Sequence, residues 1–255
     1  MELIEKNGIP IFIFPGLACF DGVRHGIFTR KGGRSKTPFN SLNISFSVGD
    51  NTSDVKSNRA IISESLEAEN LVFLKQVHGD KIITLSSRSD FNINTKTPFT
   101  GDAVITDIKK KFLVIQTADC QSILIYDPVR QVVANVHSGW QGSLKNIAGR
   151  VIKKMNQSFR CRPSDAIVCI GSSLGPCCAE FINYKKEIHK NYWKYGDRLN
   201  RFNFWSISAD QLAAEGVLRK NIFSSNTCTK CRPDLFFSYR KETVTGRFAS
   251  IIGLI

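Results

Sequence analysis

The chain of 255 residues contains four histidines, and two of them share one sequence setting. His78 follows the strand-like run LKQV and precedes a glycine, and His137 follows the run ANV and precedes a serine and a glycine. Cys120 comes after a third such run, with Asp119 beside it. Functional side chains are commonly displayed where rigid elements give way to loops. We therefore expect His78, Cys120 and His137 to carry chemistry.

These three side chains provide two imidazole nitrogens and one thiolate sulfur. Zn²⁺ takes this ligand set in tetrahedral geometry, and a site with three protein ligands keeps a fourth position open for water or substrate. The trio therefore predicts a catalytic metal site, which the fold has to assemble because His78, Cys120 and His137 are far apart in sequence. The alternative is structural: the histidines are hydrogen-bonded at the edge of the core, and Cys120 is a small buried side chain.

Two features beside the trio could assist it. Asp119 is placed for proton transfer, although an aspartate in this setting can also cap a turn. The segment 138–143 leads from His137 into a predicted helix, whose first backbone amides could bind an anion. This segment lacks the spacing of a phosphate-binding P-loop, so its pattern alone does not establish an anion site.

The chain has eight cysteines, and four of them occur in close pairs. Cys228 and Cys231 form a Cys-x-x-Cys motif, which serves in redox centres and in zinc sites. Because a second such motif is missing from the sequence, a structural role is favoured for this pair and for Cys177 and Cys178. The sequence carries no recognisable export signal, so we expect a cytoplasmic protein with reduced thiols.

The chain is strongly basic, with 35 lysines and arginines against 22 acidic residues and a net charge of +13. This charge admits phosphate compounds, nucleic acid or an acidic membrane as partners. The basic residues lie in short clusters such as 109–111, without an arginine-rich arm or an RNA-binding aromatic motif, so nucleic acid is not favoured. The longest apolar stretch, 9–20, contains Pro10 and Pro15 and is too short to span a membrane, so no membrane association is expected.

Strand-like runs outnumber helical patterns. Predicted strands cover 9–14, 24–29, 70–77, 81–85, 103–106, 112–117, 123–126, 132–136, 166–170, 235–239 and 247–252. Predicted helices cover 53–69, 143–155 and 208–218, the last with Ser208 as its N-cap. Adjacent strands joined by short turns favour antiparallel or mixed sheets over alternating βαβ units. We predict an α+β fold of mixed β-sheets with packed helices, in a single domain over residues 1–255.

A series of short motifs runs through almost the whole chain. It comprises TRKGG (29–33), SLN (41–43), VGD (48–50), NR (58–59), QVHG (76–79), GDA (101–103), TADC (117–120), VHSGW (136–140), GPCC (175–178) and FFSYR (236–240). This series resembles the laccase-domain family, whose bacterial members are variously named polyphenol oxidase, purine nucleoside phosphorylase and peptidoglycan editing factor. The family's metal ligands fall on His78, Cys120 and His137.

The resemblance implies an α+β fold and zinc-dependent chemistry, with purine nucleosides and phosphate as partners. The expected reactions are phosphorolysis of adenosine, inosine, guanosine and S-methyl-5'-thioadenosine, together with hydrolytic deamination of adenosine. Asp119, Cys120 and His137 are the expected catalytic residues, with Asp119 assisting proton transfer. Asn43 and Arg59 are expected to bind nucleoside or phosphate, and the arginine offers a bidentate fork that lysine lacks.

The chain departs from the family pattern in two places. The family often has alanine and arginine within the segment that here reads HSGWQ (137–141), so a positive charge beside the metal is replaced by a neutral amide, and anion binding there should be weaker. The usual Asn-Leu-Gly reads Asn43, Ile44 and Ser45, which changes the details of that loop.

Three other functions remain open from the sequence. A multicopper oxidase needs more imidazoles than the four present, so copper ranks below zinc, and a single copper ion on the trio is the copper alternative. Cys120 could instead be a nucleophile with His137 or His78 as its base, giving a metal-free hydrolase that edits peptidoglycan precursors. A nucleic-acid-binding module rests on charge alone. The oligomeric state is left open.

Overall fold

The computed structural model describes residues 1–87 and 98–255, and their strands form two mixed β-sheets. The strands are β1 (Glu2–Lys6), β2 (Ile9–Ile13), β3 (Val23–Phe28), β4 (Leu71–Lys75), β5 (Ile82–Leu85), β6 (Phe99–Thr100), β7 (Ala103–Thr106), β8 (Phe112–Thr117), β9 (Gln121–Asp127), β10 (Val132–Ser138), β11 (Ile167–Ile170), β12 (Ile222–Ser224) and β13 (Phe248–Leu254). The helices are α1 (Pro15–Ala18), α2 (Thr52–Ser65), α3 (Trp140–Leu144), α4 (Ile147–Phe159), α5 (Tyr184–Glu187), α6 (Phe204–Ala214) and α7 (Tyr239–Glu242). Short 3₁₀ turns cover Phe46–Val48, Pro163–Asp165, Lys190–Tyr195 and Arg219–Asn221.

The two sheets combine antiparallel and parallel pairing. In the described ranges the first sheet has the order β1-β2-β3-β13-β8-β4-β6, antiparallel from β1 to β8 and parallel from β8 to β6. The second sheet has the order β12-β11-β9-β10-β7-β5, antiparallel in its middle and parallel at both ends. Neighbours such as β9 and β10 are antiparallel because a tight turn joins them, whereas parallel neighbours need longer connections.

The sheets pack face to face, and strand alternation decides which core each side chain enters. In β8, Leu113 and Ile115 lie between the sheets, whereas Val114 lies on the outer face. In β9, Leu124 lies between the sheets and Ile125 on the outer face. Because successive side chains point to opposite faces and both faces are covered, these strands are apolar at nearly every position.

Helices cover the outer faces of both sheets. Ile62 of α2 packs on the first sheet, and Val151 and Met155 of α4 pack on the second. Helix α2 begins where the side chain of Asn51 accepts backbone N–H groups of the first turn, which would otherwise lack partners. Among the described helices, none has both the length and the apolar composition that a membrane crossing requires.

The predicted α+β fold of mixed sheets and packed helices in a single domain is confirmed. The predicted strands 103–106 and 112–117 agree with the bounds of β7 and β8. The predicted strand 235–239 is wrong, because Phe236 and Phe237 fill the core between the sheets from a turn that leads into α7. A run of buried apolar residues does not by itself distinguish a strand from a buried turn.

All three predicted helices have different bounds in the structure, and the one predicted at 53–69 is α2, which ends at Ser65. The helix predicted at 143–155 is divided into α3 and α4 at Asn146, whose φ of 57° is left-handed. The helix predicted at 208–218 begins earlier, at α6, where the side chain of Asn203 accepts the N–H of Ser206. Ser208 is therefore inside the helix rather than at its N-cap, and its hydroxyl donates to Oε1 of Gln121 at 2.6 Å.

Candidate active site

The structure brings the three predicted metal ligands together where strands of both sheets end. His78 follows β4, Cys120 lies between β8 and β9, and His137 is near the end of β10. Their potential ligand atoms all lie within 4.8 Å of one another. The imidazole rings stand edge to face, with centroids 4.8 Å apart. Two imidazoles and one thiol at this separation are a donor set that suits a zinc or copper ion with an open position.

Asp102, just before β7, organises this trio. Its Oδ1 lies 2.8 Å from Nδ1 of His137, and the carboxylate is completely buried. The same carboxylate accepts the backbone N–H groups of Val77, His78 and Gly79, at 2.9 Å for His78 and 2.8 Å for Gly79. One side chain therefore orients the ring of His137 and shapes the loop that carries His78. A carboxylate bound to the non-ligating nitrogen of a histidine is a common companion of metal sites.

Cys120 and His137 favour each other's charged forms. Burial opposes ionisation of the Cys120 thiol, but the charge of His137 and hydrogen bonds from His137 and His78 outweigh it and lower its pKa to about 6. Burial likewise opposes protonation of His137, but the Cys120 thiolate and the hydrogen bond to Asp102 raise its pKa to about 9. The sulfur is therefore held as a thiolate, the form that binds metals and acts as a nucleophile.

Gly139 makes the close approach of the trio possible. A Cβ atom at this position would lie 3.2 Å from Sγ of Cys120 and 3.2 Å from Cδ2 of His78. In the segment 138–143, the hydroxyls of Ser138 and Ser143 hydrogen-bond each other at 2.9 Å, and an anion site at the backbone amides of this segment stays a prediction. The lack of a side chain at Gly139 thus leaves room for the trio.

A cavity of about 820 Å³ opens above the trio. Its volume lies within the range of about 300–1,000 Å³ that is usual for small-molecule sites. The lining is partly aromatic, and Phe181 packs edge to face on Trp140 with centroids 5.8 Å apart. Phe181 also lies under the guanidinium of Arg240, at 5.4 Å. An apolar wall next to charged groups suits a ligand with a flat ring and a polar part.

Polar residues of the same cavity carry atoms that lack a partner. Within the described residues, Oε1 of Gln116, Oγ1 of Thr117 and Nε2 of Gln121 are buried without a hydrogen bond, and all three residues line the cavity. Buried polar atoms are nearly always paired, because an unpaired one loses its hydration without compensation. A polar ligand in the cavity would provide partners for such atoms.

Arg59 lines the cavity, as its predicted binding role requires. Its guanidinium lies between two rings, 3.7 Å from the centroid of Phe73 and 4.3 Å from that of Phe46, while Nε donates to the carbonyl of Ile44. Burial lowers its pKa to about 10, so the group stays protonated at neutral pH. Among residues 1–87 and 98–255 no carboxylate forms a salt bridge with it. A desolvated arginine held in this way is a good anion site.

Asn43 does not line the cavity, contrary to its predicted contact with substrate. Its side chain is fully buried, donates to Asp50 at 2.7 Å and accepts the backbone N–H of Arg247 at 2.9 Å. Arg247 does line the cavity, and burial lowers its pKa. Asn43 is therefore placed to position Arg247, a second arginine for which the sequence alone gives no signal.

Asp119 also faces the cavity, and both of its carboxylate oxygens have donors. The hydroxyl of Thr229 donates to Oδ1 at 2.6 Å, and the backbone N–H of Arg240 donates to Oδ2 at 2.7 Å. The residue has a φ of 86°, a left-handed value that sharpens the turn into Cys120. The predicted neighbour of the trio is thus fixed in orientation by two segments distant in sequence.

Comparison with known proteins identifies the family and supports the fold. The family model described as multi-copper polyphenol oxidoreductase laccase matches residues 24–255. The chain belongs to this family. The predicted family resemblance is therefore confirmed, and most of this laccase-family chain, including all three members of the trio, lies within the matched region.

Relatives of this laccase-family chain match it over most of their length. The purine nucleoside phosphorylase YlmD of Geobacillus stearothermophilus is 33% identical over 253 residues, which cover 93% of this chain and 92% of the relative. The purine nucleoside phosphorylase YfiH of Escherichia coli K12 is 29% identical over 242 residues, covering 89% and 92%. The crystal structure of YlmD from G. stearothermophilus has a TM-score of 0.85 at 30% identity, covering 98% of this chain and 97% of that one.

Proposed function

We propose that this protein is a zinc-dependent purine nucleoside phosphorylase that also deaminates adenosine. The observation that carries the proposal is the convergence of His78, Cys120 and His137 on the floor of a cavity that also presents Arg59 and Arg247. The names of the two relatives support the reaction class, since each is called a purine nucleoside phosphorylase.

The trio would hold the zinc ion, with Asp102 keeping His137 in the orientation that frees its Nε2. When bound, the ion would supply Lewis acidity at its open position. Zn²⁺ held by one thiolate and two neutral imidazoles would keep a net positive charge, which suits phosphate or a developing negative charge. The chain's own contribution is a rigid, preformed ligand set.

Phosphorolysis requires a phosphate oxygen to attack C1′ of the nucleoside while the bond from C1′ to N9 breaks and its electrons leave with the purine. Arg59 and Arg247 are the cavity cations that would hold the phosphate, since guanidinium groups match its oxygens in pairs. Holding phosphate and nucleoside together removes much of the entropic part of the barrier. Phe181 and Trp140 offer aromatic surface for the purine.

Deamination requires water to add at C6 of adenosine and ammonia to leave. Protons must move from the water to the leaving amine, and Asp119, a carboxylate that lines the cavity, would transfer them. Thr229 and the backbone of Arg240 hold its oxygens in place, so a proton transfer at Asp119 would occur from one fixed geometry.

The decisive experiment incubates the purified protein with inosine, guanosine, adenosine or S-methyl-5'-thioadenosine and separates the products by chromatography. We expect free base only when phosphate is present, inosine from adenosine without phosphate, and loss of both activities after chelation with recovery on adding zinc. His137→Ala should abolish both. Absence of phosphate-dependent base release from all four nucleosides, in protein shown to contain the metal, would refute the proposal.

A second candidate is favoured by one specific observation. Cys120, His137 and Asp102 form a thiolate, imidazole and carboxylate series, which is also the arrangement of a cysteine hydrolase. Such an enzyme would cleave amide bonds, for instance in peptidoglycan precursors, without a metal. Stoichiometric alkylation that inactivates a metal-free but active enzyme would favour it, whereas inactivation by chelation favours zinc. Metal analysis of protein purified without added metal separates zinc from a single copper ion.

A further inference from the structure

A second group of side chains with metal-binding chemistry lies outside the active-site trio. Cys177 and Cys178, in the turn before α5, meet Cys228 and Cys231, in the loop after β12. All four sulfur atoms lie within 4.8 Å of one another. The Sγ of Cys231 is 3.6 Å from those of both Cys177 and Cys178. Two cysteine pairs that are distant in sequence therefore form one cluster.

The sulfur separations match those of a metal site rather than of disulfides. In a tetrahedral site with Zn–S bonds of about 2.3 Å, the sulfurs lie about 3.8 Å apart. A disulfide requires about 2.05 Å, and all four cysteines are free thiols in this structure. Four sulfurs at tetrahedral spacing are the donor set that selects zinc or iron among the common metals.

The backbone around the cluster favours the thiolate of Cys228 in particular, whereas burial and hydrogen bonds among the sulfurs raise the pKa of Cys177 and raise that of Cys178 to about 11. The N–H of Gly175 donates to Sγ of Cys228 at 3.3 Å. Burial opposes ionisation of Cys228, but this N–H and other hydrogen bonds outweigh it and lower the pKa of the thiol. The N–H of Cys178 closes a turn onto the carbonyl of Gly175, and the N–H of Arg232 closes another onto the carbonyl of Cys228. Each turn thus presents two cysteines to the same point.

Exposure argues against a simple packing role for the cluster. Cys177 and Cys231 are exposed and Cys178 is half-buried, while Cys228 is buried. Cysteines that act as small hydrophobic side chains are usually buried. Four converging thiols, three of which reach the surface, need another reason to be held together, and a shared cation provides it.

We propose that Cys177, Cys178, Cys228 and Cys231 bind a second zinc ion, in a closed four-sulfur site with a structural role. A zinc site whose four ligands are all protein groups has no position for substrate, which distinguishes it from the active-site trio. The second ion would join the segment before α5 to the loop after β12, two stretches otherwise connected by few backbone contacts such as the bond from the N–H of Thr229 to the carbonyl of Ser173.

This junction forms part of the active-site wall. Thr229, next to Cys228, donates to Oδ1 of Asp119 at 2.6 Å, and the N–H of Leu174 donates to the carbonyl of Asp119 at 2.8 Å. Leu174 and Ala179 line the cavity. The second zinc ion would therefore hold the segments that fix Asp119, although its presence is independent of which reaction the cavity catalyses.

The number of zinc ions per chain tests the proposal directly. Elemental mass spectrometry of protein purified under reducing conditions without added metal should find two zinc ions per chain. The double variant His78→Ala and His137→Ala should keep one, and the double variant Cys228→Ser and Cys231→Ser should lose one. Cys19→Ser, an exposed cysteine outside both groups, should keep two.

X-ray absorption on the double histidine variant tests the ligands without altering the cluster, so it does not depend on how well the cysteine variant folds. We expect four sulfur neighbours at about 2.3 Å. Thiol reagents should modify Cys177 and Cys231 slowly until a strong chelator is added. A metal-free double histidine variant, iron in place of zinc, rapid modification before chelation, or disulfide-linked peptides from protein digested at low pH would each overturn the assignment.

Discussion

The buried carboxylate of Asp102 lies 2.8 Å from Nδ1 of His137 and also accepts the backbone N–H groups of the loop that carries His78. One side chain thus fixes two members of the trio that are distant in sequence. Since such partners orient the ring and raise the basicity of the ligating nitrogen, their removal weakens metal binding without removing a ligand.

We expect Asp102→Asn to lower the affinity for zinc by about 10- to 100-fold. The amide has nearly the same shape, but it cannot offer two oxygens to His137 and to the N–H groups of His78 and Gly79 at once. Competition with a chromophoric chelator measures the affinity. Asp107→Asn is the matched control, because Asp107 also accepts bonds from a loop residue, Ser87, but lies away from the trio. Equal affinities in the two variants would contradict the role given to Asp102.

Arg59→Lys should raise the KM for phosphate more than the KM for the nucleoside. Lysine keeps the charge, but it loses the planar fork and the stacking between Phe46 and Phe73. Loss of such a contact corresponds to a rise in KM of about 10- to 150-fold, since a hydrogen bond to a charged group contributes about 1.5–3 kcal/mol. Steady-state kinetics with each substrate varied in turn measures the change.

Arg24→Lys is the control for that substitution, because Arg24 pairs with Glu67 at the surface. Its kinetic constants should equal those of the unaltered protein. If Arg59→Lys changes the nucleoside KM and leaves the phosphate KM alone, Arg59 binds the nucleoside instead.

The limits of the sequence prediction have physical causes. The bounds of β7 and β8 were predictable because strands covered on both faces are continuous apolar runs. The segment of Phe236 and Phe237 has the same composition but lies in a buried turn, which composition does not reveal. The trio was predictable from residue types at strand ends, whereas Asp102 resembles any aspartate in a turn until its partners are known.

Long-range contacts explain the other misses. Asn43 belongs to a sequence motif, but its side chain accepts the backbone N–H of Arg247. That contact forms only when β13, which follows Arg247, takes its place in the first sheet. The cluster of Cys178 and Cys231 joins two turns that the sequence separates by a helical region. Spacing rules describe ligands within one loop, so they do not detect such a pairing.

Gly139→Ala should weaken metal binding while the protein remains folded. The φ of −70° and ψ of 172° suit alanine, so the backbone is not strained. The added Cβ would lie 3.2 Å from Sγ of Cys120 and Cδ2 of His78, closer than ordinary contact. Overpacking costs about 1–3 kcal/mol, so displacement of the ligands should reduce zinc affinity by about tenfold or more.

Thermal unfolding and chelator competition together test this prediction. Gln141→Ala, at an exposed position of the same helix α3, should change neither quantity. Unchanged zinc affinity in Gly139→Ala would show that the trio can move apart and still bind the ion.

His25 should make the folded state sensitive to acid independently of the metal site. Burial lowers its pKa from 6.5 to about 4, and its Nε2 accepts the N–H of Phe14 at 2.8 Å, so the ring is neutral. The folded pKa lies below the unfolded one, so this stability is complete above pH 6.5 and is lost as pH falls toward 4. The loss should reach about 3 kcal/mol. His25→Gln keeps an acceptor but does not titrate. As pH falls across this range, its free energy of unfolding in urea should therefore increase relative to that of the unaltered protein. A constant difference between the two proteins from pH 7 to pH 4 would exclude His25 as the cause.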